Sequence, residues 1–431
     1  MGKSLGIPAL GAAALFSAAA GAGTFPITPL LLEGDLVPGV GNVTTIDNIA
    51  VNNSGQWMVE ADTNNADTNT DSVLMRTGAL HLREGDPIAP AGASIGSFDS
   101  ININNGGNSG WNFFLDGTGS TSTDSGVYFN TTLLIQESNL ATAPGFSPGT
   151  PYIGWFEVKI NNNDDMLMMA SVDDPAIAST VDRAIVKINP VSGVQTLLAK
   201  EGDVLPGQAG AVEDFGTGPH TFAYNDNDDV MFFADVTGST ATDGLIYLNS
   251  AILAQEGSPS PVAGRNWSGL SSPELDINNS GEYVFSGTLD GDTNSNLLIV
   301  KNGAKFVQEG DSLPSIGAFT FTSFGSGPIE IDDSGNVLWY GDWNDADTNV
   351  DEGLFWNDVL IVQEGVTTIG GVLVDTLRGV EDGYHMSDNG RYVIFEAILV
   401  NGIEGAFMIE VPEPASALLL LGGLALMIRR R

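Results

Sequence analysis

The chain has 431 residues, and its 54 Asp and Glu outnumber its 15 Lys and Arg, which gives a formal net charge of −39 at pH 7. A chain this acidic repels phosphate backbones and anionic headgroups, which excludes nucleic acid and the lipid surface as partners of its folded body. A hydrophobic content of 42% predicts a large core, and the absence of cysteine excludes disulfides, thiolate nucleophiles and cysteine-based metal sites.

Residues 1–22 have the pattern of an export signal peptide. Lys3 supplies the positive start, residues 5–20 form a short apolar stretch, and residues 20–22 fit a small-x-small cleavage site. A buried N-terminal helix is the alternative, but its Ala- and Gly-rich surface offers little to pack. We therefore expect an exported protein whose mature chain begins near Gly23.

A repeat of about 55 residues occupies the middle of the chain, residues 23–411. One short motif, Glu-Gly, recurs at the end of each repeat, once in the degenerate form Glu-Ser, at Glu33, Glu84, Glu137, Glu201, Glu256, Glu309 and Glu364. A second motif, a predicted tight turn, has the same count and lies at residues 53–55, 108–110, 163–165, 227–229, 279–281, 333–335 and 388–390. Both series indicate seven structural units.

Within a repeat, residue alternation predicts four strands. The fifth repeat is the clearest, with strands over 274–277, 282–289, 297–301 and 304–308, joined by turns that contain Gly281 and Gly303. Four antiparallel strands in each of seven repeats describe an all-β fold, a seven-bladed β-propeller of four-stranded blades. An open β-solenoid is the alternative, although its repeats are usually shorter.

The two ends of the repeat region predict how the propeller closes. The last repeat provides strands near 384–386, 392–399 and 406–411 and then stops without a fourth. Residues 28–35 form a lone fourth strand with no repeat before it. Pairing this segment with residues 406–411 completes the seventh blade and removes an open sheet edge.

Two loops between second and third strands are candidate calcium sites. They share one spacing of oxygen-bearing side chains, and calcium takes six to eight oxygen ligands. Position twelve of an EF-hand-like loop is Gly78 rather than Glu, and ordinary solvated turns are the alternative explanation. The candidate ligands are Asp62, Asn64, Asp67, Asn69 and Asp71 in the first repeat, and Asp342, Asn344, Asp347, Asn349 and Asp351 in the sixth.

The remaining motifs favour structural roles. The Glu-Gly-Asp segments could place carboxylates around a central channel, but the simpler interpretation is a turn toward the next blade. His81, His220 and His385 lie in different repeats at no common position, which argues against a histidine-based metal site or triad. Residues 107–110 resemble a protease serine motif but belong to the turn series. The turns also lack the Ser and Trp positions of the sialidase Asp box.

Seven tryptophans are candidates for sugar stacking. Three of them, Trp57, Trp111 and Trp339, follow the predicted turns on second strands, where packing between blades is expected. The better candidates for a ligand surface are Trp155, Trp267 and Trp343. A packing role is also an open interpretation for each of these.

The C-terminal segment, residues 412–431, combines Pro412-Glu413-Pro414, an apolar run over 415–428 and the cluster Arg429, Arg430 and Arg431. Fourteen helical residues span about 21 Å, less than the roughly 30 Å hydrocarbon core. The arginines would stay on the cytoplasmic side and leave the body outside. A plain membrane anchor is the alternative.

This tail resembles the PEP-CTERM sorting signal of Gram-negative bacteria with exopolysaccharide-rich envelopes. The resemblance implies that an exosortase recognises the tail, cuts near Pro-Glu-Pro, and releases the protein or re-anchors it at the cell surface. It also implies transient anchoring in the inner membrane by a short C-terminal helix. The repeats resemble the predicted propeller bodies of many PEP-CTERM surface proteins, and no activity follows from that likeness.

The expected function is that of a non-catalytic exported protein of the cell surface or extracellular matrix. Its expected partners are the exosortase and export machinery, together with extracellular polysaccharide or other surface proteins. Loops on one rigid face of the propeller would bind the polysaccharide or surface proteins. The alternative is a propeller hydrolase or lyase that acts on polysaccharide with paired carboxylates at the channel mouth. Such an enzyme needs a non-repeated cluster of His, Arg, Tyr and carboxylates, which the sequence does not clearly offer. Calcium is the only cofactor predicted, and no catalytic residue is assigned.

Overall fold

The computed structural model describes residues 25–177, 182–216, 218, 220–270 and 273–411. These residues form seven antiparallel sheets, which are the blades of the predicted β-propeller. The single helical element described is a short 3-10 turn at Pro314–Ile316 between two blades. The predicted signal peptide and sorting tail lie outside the described residues.

The first three blades each have a continuous innermost strand. After the N-terminal strand β1 (Ile27–Leu32), the strands of these blades follow in chain order. Blade 1 contains β2 (Leu36–Val37), β3 (Gly41–Val51), β4 (Trp57–Thr63), β5 (Ser72–Arg76) and β6 (Ala79–Arg83). Blade 2 contains β7 (Pro87–Ile88), β8 (Ala93–Ile103), β9 (Ser109–Asp116), β10 (Ser125–Phe129) and β11 (Thr132–Gln136). Blade 3 contains β12 (Tyr152–Ile160), β13 (Met166–Val172), β14 (Asp182–Ile188) and β15 (Gln195–Lys200).

In the next three blades the innermost strand is split into two segments that pair with the same second strand. Blade 4 contains β16 (Val212–Asp214), β17 (Phe222–Tyr224), β18 (Val230–Val236), β19 (Gly244–Leu248) and β20 (Ala251–Gln255). Blade 5 contains β21 (Trp267–Gly269), β22 (Leu275–Ile277), β23 (Tyr283–Leu289), β24 (Leu297–Lys301) and β25 (Ala304–Gln308). Blade 6 contains β26 (Phe321–Ser323), β27 (Glu330–Ile331), β28 (Val337–Trp343), β29 (Glu352–Trp356) and β30 (Val359–Gln363).

Blade 7 closes the propeller with both ends of the repeat region. It contains β31 (Thr368–Ile369), β32 (Val372–Leu377), β33 (Tyr384–Met386), β34 (Tyr392–Leu399) and β35 (Glu404–Glu410). Strand β1 pairs antiparallel with β35, with Ile27 opposite Ile409 and Leu32 opposite Gly405. The closure predicted from the sequence is therefore confirmed, and the prediction of four strands per blade is too simple where inner strands are split or extended.

Seven hydrophobic clusters hold the blades together, one between each pair of neighbours. Between blades 5 and 6, Trp339 is fully buried and stacks on Phe355, with ring centroids 4.4 Å apart. Between blades 7 and 1, Leu31 of the N-terminal strand packs with Ile394 and Ala406. This arrangement fixes the innermost strands around a central channel, which is where we place the candidate site.

Candidate functional site

A ring of seven turns surrounds one mouth of the central channel. Each turn follows an innermost strand, and we call the set the turn ring: residues 52–56, 104–108, 161–165, 225–229, 278–282, 332–336 and 387–391. The first residue of five turns is an asparagine whose side-chain amide donates to a backbone carbonyl in the next blade. The Asn52 amide, for example, donates to the Asn104 carbonyl at 2.9 Å, and the Asn104 amide to the Asn161 carbonyl at 3.0 Å. The turns therefore form a continuous hydrogen-bonded belt.

Three of the seven turns lie at positions other than those predicted from the sequence. In blades 1, 5, 6 and 7 the positive-φ residue falls where the sequence predicts it. In blade 2 it is Gly107 (φ 78°), three residues before the predicted Gly110, and Ser109 begins β9. In blades 3 and 4 it is Asp164 (φ 67°) and Asp228 (φ 65°), one residue before the predicted position. An aspartate tolerates this backbone conformation better than most residues, so these turns lack the glycine that marks the others.

Inside the ring lies a cavity of about 380 Å³ lined by innermost-strand residues of all seven blades. The residue two positions before each turn lies between two hydrophobic residues of its strand, and in six of the seven blades it lines the cavity. Unlike the turns, this inward position differs from blade to blade. The six occupants that line the cavity are, in chain order, Asn102, Lys159, Ala223, Asp276, Glu330 and His385; in blade 1, Ile49 and Val51 line it in place of Ala50.

Two neighbouring inward carboxylates each accept a hydrogen bond from the backbone of the next blade, and a histidine lies beside the second of them. The Asp276 carboxylate accepts from the Ile331 N–H of the next blade at 2.7 Å, and the Glu330 carboxylate accepts from the Met386 N–H of the blade after that. His385 Nε2 lies 3.9 Å from Glu330 Oε1. One oxygen of each carboxylate is thus held by a backbone N–H group of the neighbouring blade.

The electrostatics of this group set its protonation. Burial raises the pKa of Asp276 to about 6, and burial together with the charge of Asp276 raises the pKa of Glu330 well above its usual value. Burial, helped by the charge of Lys159, lowers the pKa of His385 to about 4. At neutral pH Asp276 is therefore mostly ionised and His385 is neutral, so the imidazole can both accept and donate hydrogen bonds.

Three further acids lie close enough to Lys159 to feel its charge: Glu157 and Asp382, which line the cavity, and Glu274, which does not. Burial raises the pKa of Glu157 and of Glu274 to about 8 and that of Asp382 to about 6. In each case the nearby Lys159 acts in the opposite direction. Because protein surrounds these groups, burial disfavours their charged forms more strongly than the positive charge of Lys159 favours them.

Lys159 is the single lysine among the described residues that line the cavity. Within the described part of the chain its ammonium has no carboxylate oxygen within 4 Å, and it lies 5.6 Å from the centroid of the Phe222 ring. Its charge acts on carboxylates of several blades through space rather than in one ion pair.

Two of the three histidines, which share no position in the repeats, come together in the structure. His220 and His385 both line the cavity, although they lie in blades 4 and 7. His81 is elsewhere, with its ring 5.9 Å from that of Trp111. Sequence comparison of the inward position across repeats would have singled out His385 together with Lys159, Asp276 and Glu330.

The glutamates of the Glu-Gly series lie away from the cavity and have the structural role that the sequence favours. Glu256 accepts from the Leu270 N–H at 2.9 Å and from the Gly244 N–H at 3.3 Å. The N–H of the following Gly257 donates to the Trp267 carbonyl on the innermost strand of the next blade. The motif thus ties the outer strand of one blade to the inner strand of the next.

The two candidate calcium loops fold alike and use their polar atoms in the turns. Asp67 accepts from the backbone and side-chain N–H groups of Asn69, and Asp347 does the same with Asn349. The side chain of Asn64 accepts from the Asn42 N–H. No group of three or more His, Asp or Glu suited to a metal occurs in the part of the chain that the structure describes. Calcium at these loops stays a prediction.

The tryptophans pack in the core. Trp57, Trp111 and Trp339 are buried as predicted. The three candidates for a sugar-stacking surface, Trp155, Trp267 and Trp343, are also buried, at 7%, 4% and 2% exposure, so that interpretation is wrong. Each lies on a strand inside a blade interface, where apolar neighbours cover its ring.

Residues 1–24 and 412–431 lie outside the described residues, and with them the sorting motif Pro412-Glu413-Pro414 and Arg429 to Arg431. Among the residues that are described, none belongs to a helix long and apolar enough to cross a membrane. The export signal and the sorting tail therefore stay predictions.

Several solved structures resemble this chain in fold at low identity. An oligogalacturonate lyase in complex with manganese is 9% identical, with a TM-score of 0.40, over 90% of this chain and 98% of that one. TolB from Acinetobacter baumannii is 9% identical, with a TM-score of 0.34, over 85% and 79%. A Trypanosoma rangeli sialidase is 10% identical, with a TM-score of 0.34, over 76% and 58%. Likeness at this level says nothing about activity.

No curated protein matches the chain by sequence. One family profile does match, in two overlapping segments over residues 12–251 and 221–371. Together these segments include blades 1 to 6 and, of the strands that the last repeat contributes to blade 7, only β31. The chain therefore belongs to the family of unknown function DUF7453.

Proposed function

We propose that this protein is a non-catalytic exported binding protein of the cell surface or extracellular matrix, and that its ligand, a glycan or another envelope component, enters the central channel. The observation that supports this proposal is that the structural frame of the propeller repeats from blade to blade, whereas the residues that line the channel do not. Turns, strands and Glu-Gly ties repeat from blade to blade, whereas the inward position carries a different residue in nearly every blade. A position that serves only the frame would repeat with it.

The cavity has the size and chemistry of a binding site. Its volume of about 380 Å³ lies at the small end of small-molecule pockets, and its lining is dominated by carboxylates and amides, with Phe156 and Tyr224 at its edge toward the core between blades 3 and 4. Glycans are bound by such planar polar groups together with aromatic faces.

A glycan array with the purified full-length chain tests the proposal. We expect binding of at least one glycan class and at least a tenfold loss in an Asn102→Ala, Asp276→Ala double variant of the channel. The matched control, Asp358→Ala, changes an exposed residue on an outer hairpin. Binding that survives the double variant would contradict a channel site.

A polysaccharide-acting hydrolase or lyase is the second candidate function. The observation in its favour is the non-repeated group of Lys159, Asp276, Glu330 and His385, since an enzyme of this kind needs titratable groups gathered at one place. A reducing-end assay on the glycans that bind separates the two. Released oligosaccharide that disappears in Glu330→Gln would overturn the non-catalytic proposal, and intact glycan would support it.

Sorting by an exosortase is part of the same proposal and rests on the tail sequence. We expect the mature protein to lack residues after the Pro412-Glu413-Pro414 motif when recovered from the exported fraction. Mass spectrometry of that fraction measures the C-terminus. Replacing Arg429, Arg430 and Arg431 by alanine should leave uncut chain in the membrane fraction. An intact C-terminus in the released wild-type protein would contradict exosortase processing.

A further inference from the structure

One side chain crosses the mouth of the channel that the turn ring surrounds. The Asp388 carboxylate of blade 7 accepts from the side-chain amide of Asn105 in blade 2 at 2.9 Å and from that of Asn162 in blade 3 at 3.0 Å. Blades 7 and 3 are three places apart, which is the largest separation that a ring of seven allows, so a contact between them spans the opening. Among the hydrogen bonds between described residues, these two alone join blades that are not neighbours.

The rest of the turn ring shows that this side chain departs from the repeat. In blades 1 to 5, the N–H of the second turn residue donates to the side-chain oxygen of the second turn residue in the next blade. These bonds are 2.7 to 3.0 Å long and join Asn53 to Asn105, Asn105 to Asn162, Asn162 to Asp226, Asp226 to Asn279, and Asn279 to Asp333. The next bond of the series would end on the Asp388 carboxylate, but the Asp333 N–H donates to the Asp388 backbone carbonyl instead. The Asp388 side chain is therefore not part of the ring.

An extra residue in the last turn accounts for this departure. In six blades the N–H of the first turn residue donates to the carbonyl four residues on, as from Asn52 to Gln56. In blade 7 the Ser387 N–H donates to the Tyr392 carbonyl, five residues on. The longer turn brings Asn389 rather than Asp388 next to blade 1, where its N–H donates to the Asn53 side chain at 2.8 Å.

The crossing can open without breaking the ring. Asp388 is exposed, so its carboxylate can exchange the two amides for water at a small net cost. When it leaves, the Asn105 side chain still accepts from the Asn53 N–H, and the Asn162 side chain still accepts from the Asn105 N–H. The Asn162 amide also keeps the Asp226 carboxylate as an acceptor, at 2.9 Å.

We propose that Asp388 is the latch of a gate at this mouth, and that a ligand passes between solvent and cavity when its carboxylate releases Asn105 and Asn162. This inference rests on the proposed function, because it assigns the way by which a ligand reaches the same channel. Asp388 and both of its amide partners belong to the lining of the cavity. The latch therefore lies at the boundary between the solvent and the inward residues.

Diethyl pyrocarbonate, which acylates neutral imidazole, tests the gate without any ligand. The chain has three histidines. His385 lines the cavity with 36% of its side chain exposed, and because burial lowers its pKa to about 4, it is neutral at pH 7. His81 packs near Trp111, away from the cavity, and serves as an internal reference. If the mouth must open before the reagent enters, the rate of modification is proportional to the open fraction.

Peptide mass spectrometry of the full-length chain measures the rate at each histidine. We expect His385 to react about tenfold faster in Asp388→Ala than in the wild type at pH 7, because this variant loses both hydrogen bonds of the latch. The rate at His81 should not change. Equal rates at His385 in the wild type and in Asp388→Ala would overturn the gate.

The matched control is Asp333→Ala. This variant also removes a carboxylate from the turn ring, but one that accepts from the neighbouring Asn279 and does not cross the mouth. The rate at His385 should stay within about twofold of the wild type, because the latch is intact. An increase as large as that of Asp388→Ala would mean that any loosening of the ring admits the reagent, which would overturn the latch. Thermal melting of each variant checks that the propeller is folded.

A second variant holds the gate shut. Because the natural chain has no cysteine, Asn105→Cys with Asp388→Cys places the only two thiols at the two ends of one latch contact. Linking them with dibromobimane should slow the modification of His385 relative to the same variant before linking. A rate that linking does not change would show that the reagent reaches the cavity by another way, and it would overturn the gate.

The outcomes separate the gate from the proposed function. If a glycan binds in the channel but Asp388→Ala does not speed the modification of His385, the gate is overturned and the channel function stands. If Asp388→Ala speeds the modification but no glycan or other envelope component binds, the gate stands for small solutes and the proposed function fails. If neither result is obtained, both fail.

Discussion

The carboxylate of Asp388 accepts a hydrogen bond of 2.9 Å from the side-chain amide of Asn105, although 283 residue positions separate them in the chain. The same oxygen accepts from the Asn162 amide at 3.0 Å. One residue of the last blade therefore joins two side chains of the second and third blades across the channel mouth. This contact adds to the turn ring, in which the Asn389 N–H donates to Asn53 and links blade 7 to blade 1.

We predict that the turn ring contributes strongly to stability. Asn104 is 4% exposed, and its amide donates to the Asn161 carbonyl at 3.0 Å and to the Asp164 carboxylate at 2.7 Å. Asn104→Ala leaves these buried acceptors with one partner fewer and should lower the free energy of unfolding by about 2 to 3 kcal/mol. Urea unfolding followed by tryptophan fluorescence measures the change.

The control for this prediction is Asn401→Ala, which removes an exposed asparagine that caps a hairpin turn. It should cost less than about 1 kcal/mol. Equal losses in both variants would show that the interblade hydrogen bonds add nothing beyond ordinary turn capping.

The Glu-Gly ties should also affect stability, but not ligand binding. Glu256→Ala removes the acceptor of two backbone N–H groups, those of Leu270 and Gly244, and should cost about 1 to 3 kcal/mol. Glu256→Gln keeps one acceptor oxygen and should lose less. Because Glu256 does not line the cavity, glycan binding by the folded variant should match the wild type. Lost binding at unchanged stability would instead make this series functional.

The frame of the propeller was predictable because its signals are local and repeated. Residues 279–281 and 302–303 have sequences that predict hairpin turns without any further information. The segment at 28–35 is a strand without a repeat, and the last repeat lacks one strand, so the sequence predicts that the two ends pair. Where an aspartate replaces glycine at positive φ, as at Asp164 and Asp228, the same signal is absent and the predicted turn is displaced by one residue.

The channel lining could not be predicted in the same way. Each blade contributes one inward residue from a short segment, and β27 contains only Glu330 and Ile331. Its chemistry appears only when residues hundreds of positions apart, such as Lys159 and His385, are placed around one axis. Comparison of the repeats marks these positions as the ones that vary, but the shared site that they form is visible only in the folded propeller.

Stability should fall as the pH rises from 5 to 8. Burial raises the pKa of Glu60, Glu157 and Glu274 from 4.5 to about 8 in the folded protein. Between pH 4.5 and 8 the folded chain therefore holds more protons than the unfolded chain, and its free energy of unfolding decreases as the pH increases. We expect the melting temperature to fall by roughly 5 °C between pH 5 and pH 8.

Differential scanning calorimetry across this range measures the slope. Glu274→Gln replaces one such carboxyl by a neutral group and should make the slope shallower, with the largest gain in stability at pH 8. A melting temperature that rises from pH 5 to pH 8 would mean that these carboxyls are ionised in the folded protein.

If the two acidic loops bind calcium, the ion should stabilise the folded protein. A cation bound only by the folded chain raises the free energy of unfolding by an amount set by its concentration relative to its dissociation constant, about 2.7 kcal/mol at a hundredfold excess. The matched variant is Asp67→Asn with Asp347→Asn, which keeps the size and hydrogen-bonding oxygen of each side chain. If the loops bind calcium, its addition at millimolar concentration should raise the melting temperature of the wild type but not of the double variant. An unchanged wild-type melting temperature would show that the carboxylates of Asp67 and Asp347 serve only the turns, where each already accepts the N–H groups of the asparagine two residues on.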